Sequence, residues 1–223
     1  MEAWVAGATG LVGRELVREL CSRPGVGSVT ALVRRAEGRR EQRLEERVVS
    51  FERLELELAG LKATHVFCCL GTTMAKAGSE AAFRVIDYEY PLALGRAALA
   101  AGAKKFLVVT ALGADPDSRI FYNRVKGEVE RDLSALGIPE LHVFRPSLIL
   151  GERAERRPAE RATMAVAKPL GALMVGPLKK YRPIEGMVVA RALANVAQST
   201  SPAPSVSIYE SDRIAELAAS GRD

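Results

Sequence analysis

The chain has 223 residues, 48% hydrophobic and 26% charged, a balance that builds a buried core and excludes a disordered chain. Its formal charge of +5 comes mainly from arginine, and the most basic interval, Arg34 to Arg53, is diluted by Glu37, Glu41, Glu45, Glu46 and Glu52. Mixed signs read as a solvated face with salt links rather than a nucleic-acid surface, whereas the overall excess suits an anionic small ligand.

In chain order, the apolar run Ala3 to Ala6 reads as a short strand. It passes through Gly7-Ala8-Thr9-Gly10-Leu11-Val12-Gly13 into an amphipathic helix from Leu11 to Leu20. A glycine turn between strand and helix offers unpaired helix N–H groups and the positive end of the helix dipole to a phosphate. Gly7 and Gly10 permit the turn and close approach, and Gly13 lets the helix lie against its strand.

A second strand, Val29 to Val33, follows a Pro24-Gly25 turn and ends on Arg34 and Arg35. An acidic residue there would bind the ribose 2′-hydroxyl of NAD, whereas guanidinium groups suit a 2′-phosphate, so NADP(H) is the expected cofactor. Arg47 to Ser50 reads as a third strand and His65 to Leu70 as a fourth. The fourth strand leaves through Gly71, Thr72 and Thr73. Gly71 allows backbone to approach the cofactor, and the threonine hydroxyls bond ribose or phosphate oxygens or simply begin a loop.

Ser79 to Ala101 reads as one long helix stopped by Gly102, and Phe106 to Val109 as a fifth strand. Thr110, just past that strand, either presents its hydroxyl to a substrate carbonyl or caps the strand end. A Gly113-Ala114-Asp115-Pro116 loop leads to a helix from Ile120 to Leu136 carrying Tyr122 and Lys126. Four residues apart, these two share a helix face. An ammonium there favours phenolate, which suits Tyr122 to general acid–base work, and it can also reach the hydroxyls of a nicotinamide ribose.

Leu141 to Phe144 is the sixth strand, and Arg145 after it needs a partner, either a structural ion pair or a substrate. The backbone from Phe144 to Ile149 is placed to flank a nicotinamide carboxamide. Beyond Gly151 the composition turns to Arg/Glu-, Pro- and Met-containing segments, Glu152 to Pro158, Ala162 to Leu170 and Leu173 to Tyr181. A helix from Ile184 to Gln198, a Ser/Pro-rich stretch and a last strand and helix follow.

Alternating short apolar strands and helices imply an α/β, doubly wound, mostly parallel Rossmann-type sheet with helices on both faces. Residues 1–150 are expected to form the NADP-binding core and 151–223 a small substrate-side lid with a closing strand and helix of the same domain. Cys21, Cys68 and Cys69 form no disulfide framework; the adjacent pair points to opposite faces of a strand. His65 and His142 lack metal-ligand spacing, so no metal is expected. No signal-peptide pattern or membrane-length apolar run is present, which leads to the expectation of a reducing, cytoplasmic setting.

These features resemble the atypical short-chain dehydrogenase/reductase superfamily, and within it the small Tat-interacting-protein-like oxidoreductases and their bacterial relatives. The resemblance rests on the Gly7 to Gly13 turn, Arg34-Arg35, Cys69 to Thr73 with Lys76-Ala77-Gly78, Val85 to Tyr88, Gly113 to Asp115, Tyr122 to Glu130 and Phe144 to Pro146. It implies a Rossmann fold binding NADP(H), with Tyr122 as proton donor or acceptor and Lys126 as its electrostatic partner. It also implies that Thr9, Gly10, Leu11 and Val12 line the diphosphate and that Arg34 and Arg35 hold the 2′-phosphate. Leu70, Gly71, Ile149 and Arg157 complete the surround. The superfamily's usual serine is replaced here by Thr110, or by Ala111 if the match slips by one, which would remove the hydroxyl.

The expected activity is hydride transfer to or from a small carbonyl or hydroxyl substrate. The rival is an NADP(H)-sensing regulatory protein that presents the Met164 to Pro183 segment to a protein partner. An epimerase or dehydratase is weaker, because the chain is short for holding a nucleotide-sugar. Either a monomer or a homodimer, paired through Ser79 to Ala101 or Ile120 to Leu136, fits by analogy.

Overall fold

A computed structural model describes residues 1–151, 175–200 and 205–220. Its main sheet contains β1 (Glu2–Ala6), β2 (Ser28–Val33), β3 (Leu44–Val48), β4 (His65–Cys68), β5 (Lys105–Val109), β6 (Glu140–Arg145) and, late in the chain, β9 (Val206–Glu210). All seven are parallel, in the order β3-β2-β1-β4-β5-β6-β9. The expected doubly wound sheet is therefore present. Strand order reverses between β1 and β4, so the loops leaving those strands diverge and open a crevice at their C-terminal ends.

The helices are α1 (Leu11–Ser22), α2 (Leu54–Glu57), α3 (Met74–Ala77), α4 (Glu80–Arg84), α5 (Tyr90–Ala100), α6 (Phe121–Ala135), α7 (Gly186–Gln198) and α8 (Ser211–Ala219). Alternate residues of each strand feed two separate cores. Val5, Phe67, Leu107 and Phe144 pack with α1, α7 and α8, while Trp4, Val66, Phe106 and Val143 pack with α2, α5 and α6. Burial on both faces explains why the inner strands are apolar without alternation. A two-residue ladder, β7 (Ile149–Leu150) with β8 (Ile184–Glu185), joins the loop after β6 to the start of α7.

The third strand lies at Leu44–Val48 rather than Arg47 to Ser50. Its register is set by β2, with Val29 opposite Leu44 and Val33 opposite Val48. As a sheet-edge strand it tolerates the Glu45-Glu46-Arg47 centre, whose charges hid it in the sequence.

The long helix is divided, because α4 and α5 are joined by a π-helical turn, Val85–Glu89. Its physical cause is Pro91. A proline ring inside a helix collides with the carbonyl of the fourth residue before it, here Asp87, and a wider turn relieves the collision. The expected start is correct: the Ser79 hydroxyl accepts the Ala82 N–H at 3.1 Å, and Gly102 ends the run at φ +79°. Two residues assigned to the helix at 184–198 belong to β8 instead. The segments Glu152 to Pro158 and Ala162 to Leu170 lie outside the described residues, as does most of Met164 to Pro183. Among the described residues no helix is long and apolar enough to cross a membrane.

Candidate functional site

The turn after β1 is built from contacts that only glycine permits. Gly7 has φ +79°, and a Cβ on it would stand 2.4 Å from the Cys69 carbonyl oxygen leaving β4. A Cβ on Gly13 would stand 2.1 Å from the Gly7 carbonyl oxygen. The Gly10 N–H donates to the Gly7 carbonyl at 2.9 Å, and Gly10 then serves as the N-cap of α1. No side chain caps this helix, and its first turn carries no acidic residue. An uncapped helix N-terminus whose neighbouring backbone is stripped of side chains fits a diphosphate.

That turn forms one wall of a cleft of about 620 Å³. Thr9, Gly10, Leu11 and Val12 line it together with Leu70, Gly71 and Thr72 from the β4 exit. Thr110, Tyr122 and Lys126 line the same cleft, as does Ile149 of β7. Gly7 and Gly13 shape the turn without lining the cleft. Arg157 lies outside the described residues.

Arg34 and Arg35 stand exposed directly after β2, beyond the cleft lining. The loop they open is held in place from beneath. The Glu46 carboxylate accepts the N–H groups of Glu37 at 3.1 Å, Gly38 at 2.8 Å and Arg39 at 3.3 Å. Arg39 reaches the Ala8 carbonyl of the glycine turn at 3.4 Å, and Arg14, which lines the cleft, pairs with Glu37 at 3.3 Å.

Tyr122 and Lys126 occupy adjacent turns of α6 and both face the cleft. The Lys126 side chain is 5% exposed, and its Nζ lies 2.7 Å from Oδ1 of Asp87, whose side chain is fully buried. Burial alone would depress the ammonium. The Asp87 carboxylate, and after it Tyr122, outweigh burial, so Lys126 is held above the ordinary lysine value. Asp87 Oδ2 accepts the Thr72 N–H at 2.9 Å, which ties the pair to the β4 exit.

Asp87 lies within the Val85 to Tyr88 stretch, and the sequence alone assigns it no role. The available signal was an acid at a core-facing helix position four residues before a proline.

Thr110 meets a different partner. Its hydroxyl lies 2.5 Å from Glu130 Oε1 and 3.3 Å from the Phe144 carbonyl oxygen. Glu130 is also gripped by Arg145, whose Nε lies 3.0 Å from one carboxylate oxygen and 3.1 Å from the other, with an Nη2 contact of 2.5 Å. A carboxylate paired with arginine only accepts, so the Thr110 proton points at Glu130. Arg145 thus has the structural ion pair that its position required. Ala111 also reaches the cleft wall. Gly127 lets this helix lie against the loop after β5, since a Cβ there would meet Pro116 N at 2.1 Å.

All three cysteines are free thiols. Burial pushes the Cys68 thiol up to about 12 and raises that of Cys69 as well, and the two pack into opposite cores as their adjacency in a strand predicts. Among the described residues no group of three His, Cys, Asp or Glu side chains forms a metal site.

A family model described as NAD(P)H-binding matches residues 7–135, from the glycine turn to the end of α6. Protein HTATIP2 of Rattus norvegicus is 37% identical over 161 residues, covering 70% of this chain and 66% of the rat protein. Protein FMP52-1, mitochondrial, of Scheffersomyces stipitis is 32% identical over 236 residues, covering 97% and 98%. Among solved structures, the human epimerase family protein SDR39U1 with NADPH has a TM-score of 0.64 at 16% identity, covering 94% of this chain and 74% of that one. That likeness is one of fold.

Proposed function

The chain belongs to the NAD(P)H-binding family, and from that premise we propose that it is an NADP(H)-dependent oxidoreductase acting on a small carbonyl or hydroxyl substrate. Thr9 to Val12, with Leu70, Gly71 and Thr72, would hold the diphosphate and ribose, and Arg34 and Arg35 the 2′-phosphate. Residues 1–150 form the nucleotide-binding core in this reading, and 151–223 close the substrate side. When bound, the nicotinamide supplies or accepts the hydride.

The protein's own part is the proton. Tyr122 gives its hydroxyl proton to the substrate oxygen on reduction and takes it back on oxidation. Lys126 stabilises the phenolate that this transfer leaves. Thr110 borders the same space, but Glu130 holds its proton, so Thr110 offers the substrate a lone pair and Tyr122 is the donor. The observation that carries the reading is the buried ammonium beside Tyr122, in one cleft with an uncapped helix N-terminus.

Tyr122→Phe tests it. NADPH oxidation across a panel of aldehydes and ketones should fall about 10²–10⁴-fold while NADPH affinity changes less than about threefold. A variant that turns over like the parent removes Tyr122 from the role of acid.

A second reading, a regulatory NADP(H) sensor with little turnover, is favoured by the engaged Thr110 hydroxyl, which leaves a single donor at the reaction centre. Tight NADPH binding with no turnover by the parent on the same panel would select it, and a captured protein partner would extend it. We place the chain in the cytoplasm, where its free thiols stay reduced. Mitochondrial fractionation, in line with the name of the fungal relative, would move it.

A further inference from the structure

We propose that Asp87 is a positioning residue for the proposed proton-transfer site: from the π turn it fixes both the place and the charge of the Lys126 ammonium. The inference rests on the oxidoreductase reading, and it names a residue with no role in that reading so far.

The end of α4 and the π turn are joined to α6 by three polar links. Arg84 Nη1 meets Glu128 Oε2 at 2.5 Å, Asp87 meets Lys126 at 2.7 Å, and the Tyr88 hydroxyl donates to Asp132 at 2.7 Å. The outer two reach solvent, and the middle one is sealed. One turn before Asp87, fully buried Phe83 packs its ring 5.5 Å from that of Tyr122. Phe83 and Asp87 are thus spaced as Tyr122 and Lys126 are, and each meets its counterpart.

The pair sits directly behind the β4 exit. A Cβ on Gly71 would lie 3.5 Å from Asp87 Oδ1 and 3.9 Å from Lys126 Nζ, and both side chains line the cleft. The Thr72 N–H pins the other carboxylate oxygen and stops Asp87 from rotating away. The groups that act on the Lys126 charge are Asp87 from the π turn, Tyr122 from its own helix and Cys68 from β4. Asp87 is the strongest of the three; the Cys68 thiol is neutral because burial holds it up near 12. Without Asp87, burial would govern, and burial disfavours an ammonium.

The test is lysine side-chain NMR titration of the full chain, with the Lys126 signal assigned through Lys126→Met. In the parent, Lys126 should stay protonated above the ordinary lysine value. In Asp87→Asn, which keeps an acceptor for Thr72 but loses the charge, its midpoint should fall by about 1–3 pH units. NADPH affinity of that variant, measured by calorimetry, should then weaken as pH rises through the new midpoint, while the parent stays flat over the same range. A midpoint unmoved in Asp87→Asn, whatever its melting temperature, overturns the proposal. If Asp87→Asn does not fold, the parent titration decides: a Lys126 that deprotonates below the ordinary value contradicts the assignment. A parent that binds no NADPH refutes the oxidoreductase reading instead, and the titration still stands on its own.

Discussion

Gly13→Ala is the substitution whose effect follows most directly from distances. The added methyl would stand 2.1 Å from the Gly7 carbonyl oxygen, 2.8 Å from its carbon and 3.0 Å from Ala8 Cα. All of these are backbone atoms. Gly7 cannot retreat, because its own Cβ position is already 2.4 Å from the Cys69 carbonyl. The start of α1 must therefore withdraw by roughly 1 Å. Overpacking of this kind costs about 1–3 kcal/mol, or a melting temperature about 2–12 °C lower in a chain of this size.

The same withdrawal carries helix N–H groups out of hydrogen-bonding range of a phosphate. Losing two charge-assisted bonds, at about 1.5–3 kcal/mol each, weakens NADPH about 10²–10⁴-fold. Gly102→Ala is the control, since it shares φ +79° but has nothing within 4 Å of its Cβ position. It should lower the melting temperature by about 2–4 °C through backbone strain alone and leave the nucleotide unaffected. Thermal melts and NADPH calorimetry on both variants decide. A Gly13→Ala protein that binds NADPH like the parent would refute the argument that this turn holds the diphosphate.

Replacing Arg34 and Arg35 together with alanine should weaken NADPH by about 10–150-fold and leave NADH within a factor of about two, as read by calorimetry. Glu130→Ala strips both Arg145 and Thr110 of their acceptor. Breaking a buried pair costs about 3–5 kcal/mol, so its melting temperature should drop by about 6–20 °C. A drop under about 3 °C would show that the network carries little. His65 is depressed to about 4, first by burial and then by the Lys105 charge, against a partial offset from its bond to the Ala197 carbonyl. The unfolded chain then takes up a proton that the folded one refuses, so this stability is intact above pH 6.5 and lost as pH falls toward 4. The full gap corresponds to ~3 kcal/mol, screened by partial exposure to about 1–2 kcal/mol. Urea midpoints of the parent and His65→Gln at pH 7 and 4.5 should show the variant losing less on acidification.

The strands and the glycine turn were legible because their signals are local. A four-residue apolar run such as Phe106 to Val109 between turn signals is too short for a helix and suits a strand buried on both faces, and glycine at 7, 10 and 13 fits one turn. Tyr122 and Lys126 were legible because helical spacing puts them on one face. Their partners were not, since Asp87 and Lys126 meet only after two helices pack, and Glu130 reaches Arg145 and Thr110 only across the end of the sheet. Thr110 shows the difference well: the sequence supplies a hydroxyl at the right strand end, but not the carboxylate that takes its proton. The third strand is not readable at its place because Leu44–Val48 is an edge strand that owes its position to β2 rather than to its own pattern. Pro91 was a readable warning that the long helix could not stay regular.

The most direct test is paired calorimetry of the intact protein with NADPH and NADH at one salt concentration. A site made by the Gly7 to Gly13 turn and selected by Arg34 and Arg35 should bind NADPH at least about tenfold more tightly. Folded protein that releases no heat with either nucleotide would contradict the account at its root.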